Sequence, residues 1–137
     1  MKFPKGVKVY GDINYRDKKC PLEGNEQGTF FNLLREEFPD TYGVIATHIK
    51  NEGKRTPAQI ARERSQGFVT GACDIVIPGC PSFTCELKRK DHTQSKLEDK
   101  QENYLVQSAK AGSFACIALG YEAAWQAFTD WREIVEK

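Results

Sequence analysis

Hydrophobic positions along the chain repeat with two different periods, which predict alternating helices and strands. Spacings of three and four residues predict helices at about residues 25–38, 56–66, 97–111 and 121–135. Alternation or short apolar runs predict strands at residues 42–49, 74–77, 83–88 and 113–119, and allow a further short strand at 7–10. Helices on both faces of a central sheet would bury all the apolar stripes, so the pattern predicts an α/β fold.

The stretch 71–90, GACDIVIPGCPSFTCELKRK, contains two of these strands separated by the turn formers PGCPS. This arrangement predicts a β-hairpin. With a five-residue loop, residue 76 pairs with residue 84, and Asp74 lies opposite Glu86. Side chains directly across a ladder have Cβ atoms roughly 4.5–5.5 Å apart. The two carboxylates are therefore expected to be neighbours, with Lys88 one step further along the same face.

Two carboxylates this close repel each other unless a proton or a cation neutralises them. A hard divalent ion such as Mg²⁺ would fit two carboxylates plus water, and the carbonyl of Leu87 could supply another oxygen. Lys88 could then orient or deprotonate a water, or hold a phosphate, which suits phosphodiester hydrolysis. The alternative is an exposed strand face on which acidic and basic residues simply alternate, because the pattern is short and common.

Other polar residues are candidates for the same site. Glu26 falls on the inward face of the first helix, where a buried carboxylate needs a partner. It is either a third acidic group of the metal site or a first-turn glutamate that interacts with the helix dipole. Gln101 is expected on the inward face of the helix at 97–111. Asn51, Lys54 and Arg55 in a glycine-containing loop suit phosphate contacts, with a solvated loop as the equal alternative.

Length, charge and cysteine content narrow the class of protein. The 137 residues suit one domain, which we expect at 23–137 after an N-terminal segment or arm at 1–22. A net charge of +1 means that any contact with nucleic acid must come from a local basic patch. The residues expected to form this patch are Lys50, Lys54, Arg55, Arg62, Arg64, Lys88, Arg89 and Lys90. Five cysteines without CxxC spacing are typical of reduced thiols in a cytoplasm. No apolar run in the sequence approaches the roughly 20 residues that a membrane span needs. We therefore expect no membrane-spanning helix, and the charged N-terminus is not expected to be a signal peptide.

From about residue 26 to residue 119 the chain resembles the VRR-NUC family of the PD-(D/E)xK nuclease superfamily, especially its compact stand-alone members from phages and bacteria. The resemblance is carried by Glu26, the loop HIKNEGKR, GACDIVI, CELKRK, Gln101 and AGSFACIAL. Cys73 is a departure, because it stands where the family usually has proline.

The resemblance implies a restriction-endonuclease-like fold with a mixed central β-sheet and an αβββαβ core. It implies that Asp74 and Glu86 bind Mg²⁺, or Mn²⁺ in its place, together with the backbone carbonyl of Leu87. Glu26 would be a further ligand, directly or through water. Lys88 would be catalytic, positioning the attacking water, and Gln101 would support Lys88 or that water.

The activity that this resemblance implies is a metal-dependent DNA endonuclease of a bacterial or phage-infected cytoplasm. Stand-alone relatives look like Holliday-junction resolvases, so branched DNA and a homodimer are expected, with Phe3, Val7, Val9 and Tyr10 as candidates for the dimer surface. Three alternatives remain. The chain could nick or trim ordinary duplex or single-stranded DNA, or it could be a catalytically silent DNA-binding module. It could also be a protein-interaction domain whose acidic cluster is coincidental.

Overall fold

A four-stranded mixed β-sheet forms the centre of the computed structural model, which describes residues 1–49 and 55–137. Its strands are β1 (Lys8–Tyr10), β2 (Ile75–Ile77), β3 (Phe83–Lys88) and β4 (Phe114–Leu119). They lie in the order β1-β4-β3-β2, with β1 and β3 parallel to β4 and β2 antiparallel to β3. The expected α/β fold with a mixed central sheet is confirmed.

The described helices are α1 (Glu23–Glu37), α2 (Tyr42–Ile45), α3 (Pro57–Ser65), α4 (Asp99–Lys110) and α5 (Tyr121–Val135). Four of them correspond to the helices that the hydrophobic periodicity predicts, although α1 begins two residues earlier than expected. Among the described residues, no helix is long and apolar enough to cross a lipid bilayer.

Both faces of the sheet are covered by helices. Alternate residues of β4 point to opposite faces and pack in different apolar clusters. Cys116 packs in one apolar cluster with Phe30 of α1 and Phe128 of α5. Its neighbour Ile117 packs in a second cluster with Leu105 of α4. A strand that is buried on both sides reads as a continuous apolar run, which is how FACIAL appears in the sequence.

The β2–β3 hairpin has the register that the loop length predicts. Val76 pairs with Thr84, and Ile75 pairs with Cys85. One further step along this ladder brings Asp74, just before β2, level with Glu86 in β3. The hairpin therefore sets the two carboxylates beside each other on neighbouring segments.

The strand expected at residues 42–49 is not formed. Residues Tyr42–Ile45 make the short helix α2, and Thr47 alone joins the sheet, through a bridge to Val76 with two backbone hydrogen bonds of 2.9 Å. The first of the three consecutive strands in the expected αβββαβ core is thus reduced to a single bridge.

The reason for this difference lies in tertiary packing. The ring of Tyr42 packs edge-on against Phe38, Phe128 and Trp131, so it fills a gap between α1 and α5. Gly43 permits the close approach, since a Cβ there would lie 2.6 Å from the carbonyl oxygen of Phe38. Local alternation does not reveal these long-range contacts.

The N-terminal segment packs against the rest of the chain. It supplies the edge strand β1, Val7 is buried, and the Tyr10 hydroxyl donates a 2.7 Å hydrogen bond to Asp130. Val7 is therefore not available as the surface residue that the dimer hypothesis assumed. The segment also contacts the connection after β3, where Asp91 accepts the backbone N–H of Asp17 at 2.8 Å.

The connection at residues 91–96, expected as a polar loop, contains a 3₁₀ turn over His92–Gln94. Asp91 and His92 are buried, because the N-terminal segment covers them.

Candidate active site

Asp74 and Glu86 lie at the end of the hairpin that faces away from its loop. Asp74 Oδ2 accepts the backbone N–H of Leu87 at 2.9 Å, which fixes its carboxylate beside β3. Since the N–H and C=O of one strand residue point to the same side, the Leu87 carbonyl also lies on this edge of β3.

Glu86 occupies an environment that disfavours its charged form. Only 1% of the residue is exposed, and neither Oε1 nor Oε2 has a hydrogen-bond partner among the described residues. Burial raises the pKa of Glu86, and the Asp74 carboxylate raises it further, while the Lys88 ammonium opposes the shift. Burial also raises the pKa of Asp74, with the Leu87 N–H as the main opposing influence. A retained proton or a bound cation would relieve the repulsion between the two carboxylates.

Lys88 extends from β3 into the same region and is only 2% exposed. Its Nζ donates hydrogen bonds to the Lys96 carbonyl at 2.7 Å and to Gln101 Oε1 at 3.1 Å. The Glu86 and Glu23 carboxylates lie at 3.6 and 3.8 Å from Nζ, beyond an ordinary charge-assisted hydrogen bond. Two neutral acceptors thus hold the ammonium, and a third N–H remains for another oxygen.

Gln101 connects Lys88 to the first turn of α4. Its Oε1 accepts from Lys88 and also from the backbone N–H of Glu98, at 2.9 Å, as the N3 residue of a capping box does. The start of α4 therefore positions Gln101, and Gln101 in turn positions Lys88.

Glu23 is a component that the sequence pattern did not identify. It is the first residue of α1, and its Oε2 accepts a 2.8 Å hydrogen bond from the Ser95 hydroxyl, while Oε1 faces Lys88. The sequence placed the helix start near Asn25, which left Glu23 outside the helix. A start at Glu23 would have put it one turn before Glu26, on the same side of α1.

Glu26, the acidic group expected at the metal site, is placed elsewhere. It is only 6% exposed, and its Oε2 accepts the backbone N–H of Tyr121 at 3.0 Å, at the start of α5. Gly120 makes this contact feasible: its φ is +92°, and a Cβ there would lie 2.6 Å from Glu26 Oε2. The carboxylate stabilises a helix N-terminus. Glu26 is not among the described residues that line the cavity at Asp74 and Glu86.

A cavity of about 550 Å³ opens over the acidic pair. Its described lining includes Asp74, Glu86, Glu23, Gln101 and His48. The His48 ring is fixed by a 2.8 Å contact between Nδ1 and the Asp74 carbonyl. Carboxylates, an amide and an imidazole thus converge on one concave surface, which is the usual character of a catalytic site.

Comparisons with known proteins agree with this architecture. No family model and no curated protein matches the chain. Among solved structures, a VRR_NUC domain protein matches with a TM-score of 0.68 at 20% sequence identity, covering 85% of this chain and 92% of that one. The chain has the VRR-NUC fold. The match extends over most of both chains.

Of the three residues expected to contact DNA, Arg55 alone lies in the part of the chain that the structure describes. Asn51 and Lys54 fall outside the described residues. Arg55 forms a 3.2 Å ion pair with Glu63, and its guanidinium lies 5.4 Å from the centre of the Phe68 ring.

The expected basic patch is only partly available on the surface. Lys88 is buried, and the Arg89 guanidinium is held by backbone carbonyls of the N-terminal segment, including that of Pro21 at 3.1 Å. Arg62 and Arg64 on α3 are exposed.

The acidic pair of this VRR-NUC fold suits a hard divalent cation. Two buried Glu86 oxygens without hydrogen-bond partners, the Asp74 carboxylate and the Leu87 carbonyl form a donor set of oxygens alone. Within residues 1–49 and 55–137, no three His, Cys, Asp or Glu side chains are grouped closely enough to hold a metal. A metal here would therefore depend on two carboxylates, a backbone oxygen and water.

Proposed function

We propose that this chain is a divalent-metal-dependent nuclease that hydrolyses phosphodiester bonds in DNA. The observation that carries the proposal is the buried Glu86 carboxyl group, which has no hydrogen-bond partner among the described residues and lies beside Asp74 and Lys88 at a cavity of the VRR-NUC fold. Placing a buried carboxylate next to a second one costs stability, and perturbed acidic groups of this kind are typical of functional sites. The name of the structural relative, a VRR_NUC domain protein, supports nuclease activity as that function.

Asp74, Glu86 and the Leu87 carbonyl would hold the metal, with Mg²⁺ as the expected ion and Mn²⁺ as a substitute. When bound, such an ion stabilises negative charge on phosphate oxygens and makes a coordinated water more acidic. The protein's contribution is to hold both carboxylates in place, and the Leu87 N–H fixes Asp74 and favours its ionised form.

Lys88 is proposed to act on the water or on the phosphate that it attacks. Hydrogen bonds to the Lys96 carbonyl and to Gln101 fix Nζ at 3.6 Å from Glu86, which lines the cavity, and leave its third N–H to donate to an oxygen beside that carboxylate. An ammonium held in a buried site stabilises charge that develops on the phosphate without reorganising first. Gln101 would be a positioning residue, because it reaches the reaction through Lys88.

Glu23 is proposed as the third acidic residue of the cavity in place of Glu26. Ser95 holds one of its oxygens, and the other faces Lys88. A carboxylate there would keep the Lys88 ammonium oriented towards the acidic pair, or accept a proton from a water in the cavity.

The finer specificity that we propose is for branched DNA cut by a homodimer. A domain of this size has one such site, and two opposed cuts in a four-way junction require two sites at fixed separation, which a two-fold dimer supplies. Asn51, Lys54 and Arg55 are proposed phosphate contacts. Nicking or trimming of ordinary duplex or single strands is the alternative activity.

A panel of labelled DNAs tests the proposal. Linear duplex, single strand, flap, nick and four-way junction are each incubated with Mg²⁺, Mn²⁺ or EDTA. We expect metal-dependent cleavage that EDTA abolishes, fastest on the junction. Equal rates on linear DNA would favour trimming. Binding of DNA without cleavage of any substrate would contradict nuclease activity and indicate a silent DNA-binding module.

A further inference from the structure

A second and larger cavity, of about 790 Å³, lies next to the acidic one, between α3 and α4. The two cavities share Thr70 and Lys100 in their walls. A chain-like ligand whose phosphate lies at the acidic pair could therefore continue directly into the larger cavity, which we call the α3–α4 groove.

The α3–α4 groove presents apolar and aromatic side chains that residues 1–49 and 55–137 leave partly exposed. Helix α3 has no buried residue. Ile60 in α3 and Phe68 and Val69 just after it are 46%, 38% and 50% exposed. Tyr104 of α4 forms part of the opposite wall. Large apolar side chains grouped in a concave surface are typical of a binding site.

Cationic side chains border this apolar surface. Arg64 of α3 and Lys100 of α4 are exposed and line the groove from opposite sides. Arg55 also lines it, with its guanidinium over the Phe68 ring and its charge paired with Glu63. Aromatic rings with flanking cations are the combination that binds single-stranded nucleic acid, through base stacking and phosphate contacts.

We propose that the α3–α4 groove binds unpaired nucleotides of the DNA strand whose phosphate lies at the acidic pair. This inference rests on the proposed nuclease function and specifies the form of its substrate. A volume of about 790 Å³ is within the range of small-molecule pockets and admits a nucleotide. Bases within a duplex have both faces stacked on neighbours, so an unpaired base alone can stack on Phe68. The groove would therefore favour substrates with a frayed, flapped or junction-proximal single strand.

Fluorescence anisotropy in EDTA measures this binding without cleavage. The probes are a labelled oligothymidylate of about ten nucleotides and a blunt duplex of the same length. We expect Phe68→Ala to weaken oligothymidylate binding by at least about five-fold, because one stacked base is lost, and to leave duplex binding within about two-fold. Phe68→Trp keeps a stacking surface and should retain wild-type affinity.

Removing the charge of Lys100 tests the wall of the groove that α4 forms. Lys100→Ala should reduce the magnitude of the log–log salt slope for oligothymidylate by about 0.7, the value for one phosphate contact on a single strand. Lys110→Ala is the matched control, because Lys110 is exposed on the same helix but is not among the described residues that line the groove. Thermal melting checks that every variant is folded.

Two outcomes would overturn the proposal. If Phe68→Ala and Lys100→Ala both bind oligothymidylate like the wild type, the groove does not bind DNA and is a surface for another class of partner. If Phe68→Ala weakens duplex binding as much as single-strand binding, the groove does not select unpaired bases. If the wild type binds oligothymidylate through Phe68 but cuts no DNA in Mg²⁺, binding by the groove is supported and only the nuclease proposal is refuted.

Discussion

The surroundings of Glu86 disfavour its charged form. Its carboxyl group is buried, has no hydrogen-bond partner among the described residues, and lies next to a second carboxylate and 3.6 Å from the Lys88 ammonium. Replacing the charge by a neutral isostere should stabilise the metal-free chain, because like-charge repulsion and the cost of burying the charge are both relieved. The same substitution should remove metal binding, so stability and function are expected to change in opposite directions at this one residue.

The pH dependence of folding tests this at the residue scale. The pKa of Glu86 is raised in the folded state, so the folded chain keeps a proton that the unfolded chain releases above the ordinary glutamate pKa of 4.5. The free energy of unfolding in EDTA should therefore fall as pH rises above that value, until the folded-state pKa is passed. Urea denaturation between about pH 5 and about pH 8 measures it. Glu86→Gln should flatten the decline, and an equally steep decline in that variant would contradict the assignment.

Lys88 supports a second prediction at this scale. Lys88→Met should lower kcat and kcat/KM together by about 100-fold or more, because stabilisation of the transition state is lost while substrate binding is retained. Single-turnover cleavage and DNA binding, measured in parallel, separate the two effects. Normal turnover with weaker binding would make Lys88 a phosphate clamp instead.

At the scale of elements, the first turn of helix α1 carries two glutamates with different surroundings. Glu26 holds the N-terminus of α5 through the Tyr121 N–H, whereas Glu23 reaches the cavity beside Lys88. Helix α1 thus contributes both to the stability of α5 and to the geometry of the proposed site.

Substitutions in α1 should separate these two roles. Glu26→Ala leaves a buried backbone N–H without its acceptor and should lower the free energy of unfolding by about 1–3 kcal/mol, with cleavage by the folded fraction retained. Glu23→Ala should lower cleavage at least about ten-fold with little effect on unfolding. Each variant is the control for the other. The reverse pattern would return Glu26 to the role of metal ligand that the sequence suggested.

Elements whose geometry is set locally were predictable from the sequence. Loop length and turn residues determined the register that brings Asp74 level with Glu86. Thr56 and Pro57 marked the start of α3, where Thr56 forms a capping box with Gln59. Residues 42–49 were predicted wrongly as a strand, because the packing of Tyr42 against the aromatic rings of α1 and α5 is a long-range effect. Glu23 was missed because helix starts are uncertain by one or two residues when no side chain caps them.

At the scale of the whole molecule, a net charge of +1 gives DNA no general attraction, so substrate choice must depend on the local surface and on assembly. Burial of Val7 and the Tyr10–Asp130 hydrogen bond show that the N-terminal segment completes this chain's own sheet. Val7 is therefore withdrawn from the candidate dimer surface, whereas Phe3 and Val9 stay partly exposed there.

Sedimentation equilibrium with and without a four-way junction tests the assembly. We expect two chains on each junction, since a two-fold dimer matches the symmetry of two opposed cuts. A linear duplex of equal length is the control substrate in parallel cleavage assays. A chain that stays monomeric and cuts linear duplex as fast as the junction would contradict the resolvase proposal while leaving the nuclease proposal intact.

The most direct test of the central claim is the Mg²⁺-dependent cleavage rate of the wild type and of Glu86→Gln, measured on the best substrate from the DNA panel. Glu133→Gln, an exposed glutamate on α5, controls for the loss of one negative charge. If Asp74 and Glu86 form the metal site, cleavage by the wild type and by Glu133→Gln will require Mg²⁺, and Glu86→Gln will lose cleavage while remaining folded. Cleavage by Glu86→Gln at the wild-type rate, or cleavage by the wild type in EDTA, would contradict the account.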